Sequence, residues 1–172
     1  WQSPIDGPVH PHWVPLDEPS GLGWLDGFDE LLVRCGIHSN GAPEHDNQGR
    51  LLHPLHGKIA QSPAHQLEVV LDQESGEIVV RGIIDEKRFL FYHLQLAVTV
   101  RLHPDRPVIS IHDEITNLSS VPTGMQLLYH INFGPPLLTP DGELVLPVKQ
   151  VAPRDLEAAK DGQQWATYGP VT

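Results

Sequence analysis

The chain has 172 residues, 40% of them apolar, which suits one domain with a packed core and argues against disorder. Its 22 acidic and 11 basic residues leave a formal charge of −11. That balance works against a phosphate backbone or an anionic membrane surface as partner and favours a ligand with little charge. Cys35 is the only cysteine, so an intrachain disulfide is excluded and a reducing, cytoplasmic setting is expected. No apolar run approaches the ~18 residues of a membrane helix, and the opening residues, without a basic and then an apolar stretch, give the expectation of no signal peptide.

Residues 1–23 carry Pro4, Pro8, Pro11, Pro15 and Pro19 and read as an irregular lead-in. Trp24, Phe28, Leu31 and Leu32 follow at helical spacing, which predicts one or two helical turns over 23–32. A short buried strand is expected at 31–37, with Cys35 inside it as a small hydrophobe. From 38 to 64 the chain is polar and punctuated by Gly41, Pro43, Gly49, Pro54, Gly57 and Pro63. It reads as a long ordered loop, and His38, His45, His53 and His56 lie in it, with His65 just beyond.

Period-two patterning then takes over. Gln66–Leu71 is predicted as a strand, with 77–84 as its hairpin partner. In 94–102, Leu94, Leu96, Val98, Val100 and Leu102 share one face. In 108–116, Ile109, Ile111 and Ile115 are expected inward, with Ser110, His112 and Glu114 outward. Asp113 and Glu114, near Asn117, read as a strand end that bonds local backbone. In 125–133, Met125, Leu127, Tyr129, Ile131 and Phe133 form the apolar side, and His130 and Asn132 share the other. A brief helix is expected at 153–161. Successive antiparallel strands with tight connections predict an all-β sandwich.

Three segments could carry chemistry. In LLYHINFGPPLL (127–138), His130 and Asn132 stand two residues apart, so both project from one side of a rigid strand. In His53-Pro54-Leu55-His56-Gly57, the glycine leaves room for a ligand or another backbone beside His56. Arg81, on the 77–84 strand, has a planar fork suited to sugar hydroxyls. Each also has a structural alternative: a core histidine for His130, a plain turn for His56-Gly57, and a surface arginine paired with a carboxylate for Arg81. His53 and His56 with His130 or His93 could assemble three imidazoles. Their spacing is no recognised zinc signature, so neither a metal nor a cofactor is expected. No G-x-S-x-G segment and no phosphate-cradling glycine loop is present.

The segments LHGKI (55–59) and SPA (62–64) resemble those of an uncharacterised aldose-1-epimerase-like family of the galactose mutarotase superfamily. Gly23-Trp24-Leu25, Phe28, LLVRCG (31–36), IHDEITN (111–117), Pro122-Thr123 and YHINFGPPLL (129–138) are similar to its other landmarks. The resemblance implies an antiparallel β-sandwich of the galactose mutarotase-like supersandwich type, with a sugar groove across one sheet. It implies His130 as general acid on the ring oxygen and His56 as the second histidine beside it. Arg81 and Asn132 become candidate sugar-binding residues. The superfamily's general-base glutamate lies on a late strand, and only Glu143 and Glu157 follow His130 here. The chain also opens on Trp1. The expectation is therefore the central part of a longer sandwich domain, with unpaired strand edges that favour a homo-oligomer. Three functions follow as expectations: interconversion of sugar anomers, non-catalytic sugar binding on the same fold, or a His-rich metalloprotein on a β scaffold.

Overall fold

The computed structural model describes residues 18–140, 142–160, 162 and 164–167. The predicted lead-in lies mostly outside them. Its last residues turn into a 3-10 helix at Leu22–Asp26, shorter than the expected 23–32. Eight strands follow: β1 (Leu32–Ile37), β2 (Glu44–His45), β3 (Leu51–His53), β4 (Gln66–Leu71), β5 (Ile78–Arg88), β6 (Tyr92–Leu102), β7 (Ile109–Asn117) and β8 (Gln126–Ile131).

The alternating segments pair as expected. β4, β5, β6 and β7 form one four-stranded antiparallel sheet in chain order. The β5–β6 hairpin is longer than the sequence pattern indicates, with ladder pairs from Ile78↔Leu102 to Arg88↔Tyr92. Asp85, Glu86 and Lys87 disguise that extension. Glu86 is nevertheless buried, and its Oε2 accepts the Ile37 N–H at 2.8 Å. A carboxylate that takes backbone donors can be buried inside a strand pair.

β1 and β8 pair antiparallel as a separate ribbon, from Leu32↔Ile131 to Ile37↔Gln126. The expected long loop 38–64 is not featureless. It holds the small β2–β3 hairpin and a 3-10 turn at Ile59–Gln61. The expected helix at 153–161 is absent among the described residues there. Asp155 instead caps a single turn, its Oδ1 accepting the Ala158 N–H at 2.9 Å.

Two apolar clusters hold the ribbon, one on each side. Ile37, Ile59, Leu94 and Leu96 lie between the ribbon and the four-stranded sheet, with Ile84, Tyr92, Val98, Ile115 and Leu127 packed around them. Trp24, Val33 and Cys35 lie on the ribbon's outer side with Phe28 and Leu55. Each fully buried Leu or Ile contributes about 1.5–3 kcal/mol. Burial pushes the Cys35 thiol up to about 11, as expected of an inert core cysteine.

The ribbon covers the sheet from Leu94 to the level of Val98 and Asp113 and leaves the far end open. Ile115 and Leu127 therefore pack as expected, whereas Ile109, Ile111, Met125, Ile131 and Phe133 are exposed. Strand alternation sets which side a residue takes, but burial also needs something stacked on that side.

Asp113 departs from its expected role at a strand end. It sits within β7 and ties the two layers together. Arg34 Nε and Nη2 donate to its two oxygens at 2.6 and 3.0 Å, and the Tyr129 hydroxyl donates at 2.7 Å. Its side chain is 2% exposed, so removing the Arg34 charge would leave the carboxylate buried without its cation, at about 3–5 kcal/mol. Burial, together with the Asp113 carboxylate, pushes the Tyr129 phenol above its ordinary pKa. Among the described residues, no helix is long and apolar enough to cross a membrane.

Candidate functional site

His56 reaches its place through two glycines. The Gly36 N–H donates to the His56 carbonyl at 2.8 Å, and the Lys58 N–H returns to Gly36 O at 3.1 Å. Gly57 has φ +78°, and a Cβ there would stand 2.3 Å from Ser39 O and 2.4 Å from Gly36 O. Gly57 thus makes room for another backbone, that of β1. The ribbon register sets Val33 opposite His130, so the His130 ring leaves the ribbon on the side of Trp24, Val33 and Cys35.

The two rings meet there, centroids 5.8 Å apart. Trp24 stands edge-on to both, at 5.7 Å from His56 and 5.4 Å from His130. Phe28 stands 5.9 Å from His130. Trp24 is buried and fixed by its Nε1–H, which donates to Glu30 Oε2 at 2.8 Å. The pair thus has aromatic walls. His56 Nδ1 lies 3.1 Å from Asn40 Oδ1. Burial first, and His130 second, hold the His56 pKa below the usual imidazole value. His130 Nδ1 is buried with no hydrogen-bond partner among the described residues.

A cavity of about 320 Å³ opens beside His56, lined in part by Trp24, Arg34, Leu55, Gln61 and Ser62. It is at the small end of ligand-sized cavities and does not reach the His130 ring.

The other expected site residues lie elsewhere. Asn132 is buried and committed to the chain: its backbone N–H donates to Leu31 O at 2.9 Å and its Nδ2 to Glu30 O at 2.8 Å. It holds the segment that carries Glu30, the partner of Trp24, and is not open to a ligand. Arg81 pairs with Thr99, and Thr99 with His112, on the sheet face opposite Leu94, Leu96 and Asp113. It therefore points away from the ribbon and the histidine pair. Its Nη1 donates to Glu68 at 2.8 Å, the surface pairing that the sequence leaves open as an alternative. Glu143 sits in an isolated bridge to Thr167, and Glu157 accepts from Lys160. His53 lies with His38, centroids 5.8 Å apart, and His38 stacks on Tyr92 at 3.9 Å. Among the described residues, no three His, Cys, Asp or Glu side chains are grouped to hold a metal.

Sequence reasoning missed Asn40 and Gln126. The Asn40 backbone N–H donates to Gln126 Oε1 at 2.9 Å, and Asn40 Oδ1 faces His56. A polar residue in a long loop has no periodic signal that could single it out. Trp24 and Phe28 were legible as core but not as walls of the site.

The family model described as a domain of unknown function, DUF4432, matches residues 1–172. Among solved structures, a protein provisionally named an aldose 1-epimerase, from Klebsiella pneumoniae subsp. pneumoniae, is 36% identical, with a TM-score of 0.84. The match covers 98% of this chain and 44% of that one, so the chain spans less than half of that protein's length. No protein of curated function matches. The all-β, antiparallel architecture is shared with a protein of the aldose 1-epimerase-like kind.

Proposed function

The chain belongs to the DUF4432 family of domains of unknown function, and from that premise we propose that its His56–His130 pair binds a neutral, hydroxyl-rich ligand of the sugar class and serves the interconversion of its anomers. One observation carries this reading: two imidazoles from distant parts of the sequence, with centroids 5.8 Å apart, enclosed by Trp24 and Phe28. Rigid placement of two proton-exchanging rings against aromatic walls suits general acid–base chemistry on an uncharged substrate. The charge of −11 supports an uncharged ligand over a phosphorylated one. The Klebsiella pneumoniae protein supports the same chemistry through its provisional name.

His130 is the candidate acid and His56 its partner. The test is saturation-transfer NMR of anomer exchange in a panel of aldoses with the purified chain. Exchange above the buffer rate, lost in His130→Ala, is expected. Equal exchange in parent and variant would overturn the assignment.

A second reading, sugar binding without turnover, is favoured by a separate observation. No carboxylate hydrogen-bonds to either ring among the described residues, and Glu30 Oε2 is taken by Trp24. Calorimetric binding of a sugar with no excess anomer exchange would select it.

A further inference from the structure

We propose that the two rings are held as complementary tautomers, with Asn40 as the positioning residue: His56 offers a ligand a bare Nε2 acceptor, and His130 offers an Nε2–H donor. This rests on the histidine pair being a sugar site and adds the polarity with which it reads its ligand.

For His56, the oxygen of the Asn40 amide can only accept, so the ring proton sits on Nδ1, 3.1 Å away. Asn40 is itself fixed to β8 through its N–H to Gln126 Oε1 at 2.9 Å. The proton is thereby committed to one side of the ring, and Nε2 keeps a lone pair. Nε2 has no hydrogen-bond partner among the described residues, yet it is not one of the buried atoms left unpartnered. It is therefore not sealed from solvent. Burial and the neighbouring His130 keep this ring neutral at pH 7.

For His130, Nδ1 is the sealed atom. A buried N–H with nothing to donate to is rarer in proteins than a buried acceptor left short of a donor. The ring avoids that situation by leaving Nδ1 bare and carrying its proton on Nε2, which is not among the sealed atoms. Trp24 stands edge-on to both rings and offers neither a competing hydrogen bond, because its N–H is spent on Glu30.

A ligand suited to this pair brings a hydroxyl that donates to His56 and an oxygen that accepts from His130. A cyclic hemiacetal has both on neighbouring atoms, its anomeric hydroxyl and its ring oxygen. A methyl glycoside keeps the ring oxygen and loses the anomeric donor.

The test is long-range 1H–15N correlation of the imidazoles in the full chain at pH 7, assigned with His56→Gln and His130→Gln. The expected unprotonated nitrogens are Nε2 for His56 and Nδ1 for His130. Asn40→Ala should release the His56 preference and leave the His130 pattern unchanged, while Asn40→Asp, which retains an acceptor oxygen, should restore Nδ1–H. The reverse tautomers, or two cationic rings, would overturn the proposal, and the parent spectrum decides this even if Asn40→Ala does not fold. The ligand arm uses D-galactose and methyl D-galactopyranoside in calorimetry. The methyl glycoside should bind about tenfold more weakly, and equal affinities would overturn the donor–acceptor assignment. Binding of neither sugar, with the tautomers as stated, would remove the sugar reading and leave the ring polarity standing.

Discussion

Two of the histidine groupings among the described residues differ in what surrounds the rings. On the sheet face that carries Arg81, the Asp85 carboxylate lies between His65 and His93, at 3.4 and 3.3 Å. Gln95 Nε2 donates to it at 3.1 Å, and Lys87 stands 3.7 Å away. On the outer side of the ribbon, His56 and His130 have an indole, a phenyl ring and an amide for neighbours. The first grouping supplies opposite charge in a partly hydrated setting. The second surrounds the rings with uncharged groups. Charged pairs near solvent contribute little, about 0–1 kcal/mol. An imidazole with one nitrogen committed and the other accessible is a tool for hydrogen-bond recognition and proton exchange.

The sharpest way to break the comparison is to remove one histidine from each grouping. Under the proposed function, His130→Ala should slow anomer exchange about 10²- to 10⁴-fold, whereas His93→Ala should leave it unchanged, both read by saturation-transfer NMR. Equal losses would mean that the two groupings do not differ in function. Next in size is Gly57→Ala, whose methyl would collide with Ser39 O and Gly36 O. A loss of about 3 kcal/mol or more in urea unfolding is expected. Gly124→Ala, with nothing within 4 Å of its Cβ, should stay within about 0.5 kcal/mol.

The groupings should also separate along the pH axis. The folded His56 pKa lies below the ordinary imidazole value of 6.5. Just below that pH the unfolded chain binds more protons than the folded one, so stability is complete above it and falls on acidification. Asp85 behaves as a carboxylate. Burial pushes its pKa up, but Gln95, His93 and His65 outweigh burial, and the net shift is below 3.8. Its contribution is present above that pH and is lost as the pH falls through the folded value. In urea midpoints measured against pH, His56→Gln should flatten the fall just below pH 6.5. Asp85→Asn should flatten only the more acidic part. At pH 7 Asp85→Asn should itself cost little, at most about 1 kcal/mol.

Much of the molecule was legible before any coordinates. Alternation over 94–102 and 108–116 identified two strands of the sheet, because side chains on a pleated strand must alternate. The same rule put His130 and the apolar residues of its strand on opposite sides. The rule was silent where charge interrupted it, and so the β5–β6 hairpin was read short across Asp85, Glu86 and Lys87. It also could not say which face of which layer was shared. Arg81 was a fair hydrogen-bond donor by type, yet pairing with Thr99 and Glu68 turned it to the far side of the sheet.

By itself the sequence determined the fold class, the inert character of Cys35 and the strand that bears His130. These follow from local periodicity and composition, which act over a few residues. Only the tertiary structure decided that His56 meets His130, that Asn132 is spent on backbone, that Asp113 joins two layers and that Asn40 faces an imidazole. The His56 contact crosses dozens of residues and depends on Gly57 lying against Gly36. Close approach of two backbones is a property of the assembled layers, and no stretch of sequence taken alone contains it.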